Sequence, residues 1–226
     1  LCGSDSRHLL QFVNHPWDPR GFCLLKEGEA MGKRIVLASN NKNKKKEYEE
    51  ILGPLGYEVL TPKDLGVTSD PEENGLTYRE NSYIKAKALA QKIAGPVLSD
   101  DSGLEINALG RFPGIHSSRF ASSYPSYADA WNVLFERLEG ATDRSAQFVC
   151  CICYLADKES EPLYFEGVCH GQILSEPKGN NGFGYDPIFH CDEADLNFGE
   201  ASEEEKNRYS HRGKASAKLV KFLSQK

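Results

Sequence analysis

From residue 33 onward, short runs in which nearly every position is apolar alternate with longer stretches in which apolar residues recur every three or four positions. The first pattern belongs to buried strands, the second to helices that pack on them. Residues 35–38 predict a buried strand. Tyr48, Ile51, Leu52 and Leu55 then mark a helix, with Gly53 and Gly56 near its end. Residues 57–60 read as a short strand and 70–75 as a polar loop. Ala86, Leu89, Ala90 and Ile93 predict a helix over 79–93, broken by Gly95-Pro96. The next strand, 96–100, is expected to stop at an acid turn, Asp100-Asp101, with 103–109 returning as its hairpin partner. The Gly-, Pro- and Ser-rich stretch 110–124 reads as a loop. Tyr127, Trp131, Leu134 and Leu138 mark an amphipathic helix.

Residues 147–156 are apolar on both faces, which predicts a central strand. Residues 163–173 are a plausible neighbour, with bulges expected at Gly167 and Gly171. A glycine-rich loop, 179–184, precedes a last helix marked by Ala215, Leu219, Phe222 and Leu223. The sum is an α/β or mixed α+β domain around a long central sheet, with no linker dividing it. Residues 1–30 lack this order, and Met31 is the sole methionine. Residues 1–31 are expected to be an N-terminal extension outside the fold, and 32–226 the domain.

A formal net charge of -6 disfavours nucleic acid as a partner. No apolar run approaches the roughly 20 residues of a membrane helix. Seven cysteines are present, and Cys150, Cys151 and Cys153 share one apolar run. Strand neighbours point apart, so these predict buried reduced thiols and a cytoplasmic setting. Their spacing with Cys169-His170 does not match a zinc site, and adjacent strand residues make a poor nucleophile–base pair.

Four segments carry candidate chemistry. Ser39-Asn40-Asn41-Lys42-Asn43-Lys44 joins a strand to a helix, whose first amides and Lys44 suit phosphate. The same residues also read as a helix cap with a solvated basic face. Asp100-Asp101 offers a carboxylate to magnesium, which takes one or two such ligands and leaves room for phosphate and water. The second ligand is expected from Glu72 or Glu73, while a free carboxylate could take a proton from water. Turn acids that cap amides are the plainer alternative. Gly182-Phe183-Gly184-Tyr185-Asp186 sets two aromatics among glycines, as a stacked base would need, or else simply tucks Phe183 into the core. His211 and Arg212 follow a potential helix cap, Ser210, and can donate to a purine carbonyl or remain solvated. Helical spacing leaves Lys85 and Lys87 equally placed for phosphate.

Taken in order, Ser39-x-Asn41-x-x-Lys44, Glu72-Glu73-Asn74-Gly75, Glu80-Asn81, Lys85-Ala86, Ser99-Asp100-Asp101-Ser102-Gly103-Leu104, Phe112-Pro113-Gly114-Ile115-x-Ser117-x-Arg119, Gly182-Phe183-Gly184-Tyr185-Asp186-Pro187 and Ser210-His211-Arg212-Gly213 resemble the inosine triphosphate pyrophosphatase family. The likeness spans residues 35–213. It implies hydrolysis of inosine, deoxyinosine and xanthosine triphosphates to the monophosphate and pyrophosphate, with Mg2+. It implies Asp101 as proton acceptor, Glu72 and Asp101 as metal ligands, and Lys85 as a phosphate contact beside Asp101. Substrate contacts would fall on residues 39–44, Ser102, Arg119, Phe183, Gly184, Tyr185, Asp186, Lys206, His211 and Arg212. The implied fold is an elongated mixed sheet flanked by helices, with two lobes, a cleft between them, and a homodimer. A non-catalytic nucleotide-binding module is the alternative, since it would keep the phosphate loop without needing the acids.

Overall fold

The structure, a computed structural model, describes residues 33–225, so the expected extension over 1–31 lies outside the described residues. Strand β1 (Lys33–Leu37) runs into helix α1 (Lys42–Leu52), which starts where the Asn41 side chain accepts hydrogen bonds from the Asn43 and Lys44 amides. The chain returns in β2 (Tyr57–Leu60). Helix α2 (Tyr78–Ala90) opens on a reciprocal Thr77–Glu80 capping box. It ends three residues short of the expected 93, the Gly95-Pro96 break being felt a turn upstream.

Strand β3 (Val97–Ile106) overturns the hairpin. It runs straight through Asp100, Asp101 and Gly103 and pairs without a break from Val97↔Leu155 to Ile106↔Ala146 of β5 (Ser145–Leu155). The acids therefore sit mid-strand, not at a turn. Gly103 is there for space: a Cβ on it would stand 2.1 Å from the Gly114 carbonyl oxygen. The stretch expected as loop holds β4 (Phe112–Pro113) and a short helix, α3 (Ser117–Ser122). The Ser117 hydroxyl secures that helix to β3 by accepting from the Leu104 amide at 2.9 Å and donating to the Gly114 carbonyl at 2.6 Å.

Helix α4 (Tyr127–Arg137) follows, capped by Ser126. Beyond β5 come β6 (Leu163–Ile173), β7 (Phe189–Cys191), β8 (Leu196–Asn197), α5 (Glu203–Tyr209) and α6 (His211–Leu223). Among the described residues the strands form one eight-stranded mixed sheet in the order β2-β1-β3-β5-β6-β7-β8, with β4 paired to β3. The β1 pairings are parallel, and the others antiparallel. β5 is central, as its two apolar faces require.

Helices cover both faces. Ile35, Leu37, Leu98, Cys150 and Ile152 pack with Tyr48 and Leu52 of α1 and Ala215 and Leu219 of α6. On the opposite face Val36, Val97, Cys153 and Leu155 pack with Ala86, Leu89 and Ala90 of α2. A third cluster gathers Leu104, Ile106, Phe148, Phe189 and Phe198 with Ala130 and Leu134 of α4. Between the apolar ends of β3 lies its polar middle, residues 99–102. Five cysteines among the described residues are free and buried, as expected.

No bulge forms at Gly167 or Gly171, since β6 keeps continuous register with β5 through both. A Cβ at Gly167 would stand 2.1 Å from the His211 carbonyl oxygen, and one at Gly171 2.0 Å from that of His190. These glycines let α6 and β7 close on the sheet. Gly167→Ala is therefore expected to cost about 1–3 kcal/mol by overpacking. Gly53→Ala, with helical dihedrals and open space around it, should be neutral or slightly stabilising. Urea unfolding midpoints of the two variants test this.

Candidate active site

Strand alternation sends Asp100 and Asp101 to opposite faces of β3, and the difference decides what each does. Asp100 faces α1 and α6. Its Oδ2 accepts from Arg212 Nε and NH2 at 3.1 and 3.0 Å, and Lys44 Nζ ion-pairs with Oδ1 at 3.0 Å. Burial pushes its carboxyl up, but Lys44 and Arg212 outweigh that and hold it well below the usual carboxylate range. Arg212 also donates to Glu47 Oε2 at 2.5 Å and to the Ser102 hydroxyl at 3.0 Å. Glu47 in turn accepts from Lys206 at 2.9 Å, and Lys206 donates to Asp186 Oδ2 at 2.8 Å. Asp100, Glu47, Asp186, Lys206 and Arg212 are all buried.

Asp101 faces α2. Lys85 Nζ donates to its Oδ1 at 2.8 Å and to Glu73 at 3.2 Å. The Asp101 Oδ2 is buried without a hydrogen-bond partner. Burial raises the Asp101 carboxyl, and Lys85 only partly offsets it. Helical geometry thus settles Lys85 against Lys87, whose ammonium instead reaches the Lys158 carbonyl at 2.7 Å.

The two faces meet at the rim of one cleft of about 650 Å³. It is lined by Ser39, Asn40, Asn41 and Lys44 and by Phe183, Gly184, Tyr185 and Asp186. Asp101, Lys85, Glu72, Ser102, Arg119, Lys206, His211 and Arg212 line it as well. The loop 182–186 is folded around Asp186, whose Oδ2 accepts from the Phe183 amide at 2.7 Å. Gly182 has φ 72°, and a Cβ there would meet that oxygen at 2.3 Å. Lys206 stands 4.5 Å over the Phe183 ring.

Several expectations change. Lys42 and Asn43 do not line the cleft: the first helical turn carries them off, and Asn43 borders a separate hollow of about 40 Å³. Two of the helix-start amides expected to meet phosphate already donate to Asn41 Oδ1. His211 and Arg212 are buried, not solvated. Burial keeps His211 well below the usual imidazole range, so it is neutral, stacked on Phe148 at 4.7 Å. Arg212 spends most of its donors on carboxylates. Phe183 lies against the cleft, not in the core.

Residues 35–222 match the Ham1 family. The chain belongs to the Ham1 family. A Ham1 relative, the dITP/XTP pyrophosphatase of Treponema denticola, is 43% identical over 84% of this chain and 98% of its own length. That of Leptospira interrogans is 43% identical over 87% and 100%. The HAM1 protein structure from Coxiella burnetii superposes with TM-score 0.78 at 41% identity, covering 86% of this chain and all of its own. The Staphylococcus aureus Ham1 structure gives 0.76 at 39%, covering 85% and 99%.

Within this Ham1 chain, sequence reasoning found the helix α4 but missed that its Tyr127 lines the cleft, and it missed Glu47. Glu47 left a signal: a carboxylate three residues after Lys44, on the stripe that continues to Ile51. Asp100→Asn leaves Lys44 and Arg212 short of a buried partner and should cost about 3–5 kcal/mol at pH 7. Because the folded carboxyl is depressed, its stabilisation is present above the unfolded value of about 3.9 and lost as pH falls below it. The gap between wild type and D100N should therefore shrink below about pH 4, as denaturant unfolding at pH 7 and pH 3 would read out.

Proposed function

We propose that this chain hydrolyses purine nucleoside triphosphates with deaminated bases, those of inosine, deoxyinosine and xanthosine, to the monophosphate and pyrophosphate. The observation that carries this is the buried, unpartnered Oδ2 of Asp101 in a cleft bounded by the 39–44 loop and the aromatic loop 183–186. The relatives' names, dITP/XTP pyrophosphatases, support it.

Magnesium belongs to the reading. Among the described residues no group of three His, Cys, Asp or Glu side chains is gathered to hold a metal alone. Magnesium asks for less, one or two carboxylates completed by phosphate and water. Asp101 and Glu73 face one cation, Lys85, so this face keeps surplus negative charge. Glu72, exposed on the cleft wall, and the Asp101 carboxylate are the residues that would hold the ion, with the attacking water beside them. When bound, it supplies charge neutralisation for the polyphosphate and polarises phosphorus.

The chain's own groups do the rest. Lys44 and the Ser39 and Asn41 side chains grip phosphate oxygens and offset charge building on the departing pyrophosphate. Lys85 fixes Asp101 through Oδ1, leaving Oδ2 to take the proton of the attacking water. A carboxyl raised by burial is a better base for that step. Of its three N–H groups Lys206 gives two to carboxylates, and Arg212 makes four bonds with five. Each keeps a donor, which favours a carbonyl over the amino group of adenine at the purine 6-position. The same reading includes a homodimer, testable by sedimentation, and a reducing compartment, supported by the free buried thiols. No helix among the described residues is long and apolar enough to cross a membrane.

A pyrophosphate-release panel tests the substrate class: inosine and xanthosine triphosphates should exceed adenosine triphosphate in kcat/KM by at least about 100-fold. Comparable turnover of all would sink it, and no release with any divalent ion would favour a mere binder. Asp101→Asn should lower kcat about 10²–10⁴-fold while circular dichroism shows the fold retained, Lys85 keeping Glu73 as a partner. Full turnover in D101N would remove Asp101 from the role of base.

A further inference from the structure

The aromatic loop is anchored from a helix that carries none of the expected site residues. In α4, Trp131 donates its indole N–H to the Gly184 carbonyl at 3.1 Å. One turn earlier, the Tyr127 ring lies 3.7 Å from where a Cβ of Gly184 would stand. Tyr127 meets Tyr185 edge to face, centroids 5.5 Å apart at 89°, and is 40% exposed on the cleft wall. The Tyr185 hydroxyl donates to the Ser117 carbonyl at 2.7 Å. Gly184 has φ 67°, a conformation that a bulkier residue rarely adopts. Its carbonyl lies in the chain between Phe183 and Tyr185, so fixing that peptide restrains both neighbours. The spacing of Tyr127 and Trp131, which read in the sequence as a core stripe, places both on the side of α4 that faces this loop.

We propose, resting on the function proposed above, that Trp131 is a positioning residue for nucleoside recognition. Its N–H fixes the Gly184 peptide, between the core-anchored Tyr185 and the cleft-lining Phe183, and so holds the Phe183 ring in place for the purine. The groups around the reacting phosphate, Asp101, Lys85 and Lys44, come from β3, α2 and α1, and none bonds to α4. An interaction confined to the base is equally strong in bound substrate and transition state, so its loss raises KM and spares kcat. A merely structural role for Trp131 would instead lower stability and the active fraction, which lowers apparent kcat and leaves KM alone.

Trp131→Phe keeps a half-buried ring and removes the donor. KM for inosine triphosphate should rise about three- to ten-fold, with kcat within about twofold of wild type. A KM unchanged in W131F, or a fall in kcat alone, overturns the inference. Wild type in the same assay separates the two ideas, since absence of pyrophosphate release there counts against the function and not against Trp131. A second measurement does not depend on that variant folding. The chain has two tryptophans, so Trp17→Phe leaves Trp131 as sole emitter. Titration with inosine monophosphate should change its emission saturably, with a midpoint matching the inhibition constant of that product. Emission unmoved at inhibitory concentrations also overturns the inference.

Discussion

Six buried or nearly buried charges on one face of the sheet constrain everything around them. Lys44, Lys206 and Arg212 meet Glu47, Asp100 and Asp186, three cations against three carboxylates. Burying any one of these alone would cost several kcal/mol, whereas the closed set is neutral and every member is ion-paired. The members come from α1, β3, the 182–186 loop, α5 and α6. Each element is thereby tied to the others at fixed distance. Lys44 and Asp186, both lining the cleft, belong to one electrostatic unit, so the segments that carry them cannot drift apart without stranding a charge.

Alternation along β3 then divides labour between neighbouring acids. Asp100 spends both oxygens inside the neutral set. Asp101, one residue on, faces a smaller group in which Lys85 answers two carboxylates. That face has negative charge to spare and an oxygen without a partner. Asp100 is held ionised by excess cation and Asp101 is left underserved, although the sequence shows only two identical residues side by side. A hairpin at this point would have put both at a solvated turn, where neither burial nor the cation partners could have separated their properties.

What was legible in the sequence was what periodicity and capping report. β5 declared itself through apolar residues on both faces, and α2 and α4 through helical stripes. The candidate acids, Lys44 and the aromatic loop were visible as segment chemistry, and the family resemblance joined them. The failures share a cause. Gly103, Gly167 and Gly171 read in the sequence as local punctuation, yet each makes room for a backbone carbonyl that would meet a Cβ at 2.0 to 2.1 Å. Glu47 hid among the charges of a basic helix because its partners lie over a hundred residues away. Lys42 and Asn43 looked equivalent to Lys44 because a loop-to-helix boundary, not composition, decides which side chains turn inward.

Neutralisation also bears on how a base is chosen. A pocket floored by free cations would attract any electron-rich heterocycle, and phosphate besides. Here Lys206 and Arg212 have their charge answered by Glu47, Asp100 and Asp186, so what they present to the cleft is a direction more than a charge. Donor hydrogens fixed by buried carboxylates discriminate by geometry, because an amino group placed against them leaves both sides unpaired. The aromatic rings supply area without regard to the purine's substituents. On the proposed function, affinity and selectivity therefore rest on different groups: stacking on Phe183, held by Asp186 and α4, and donors held by the charge cluster.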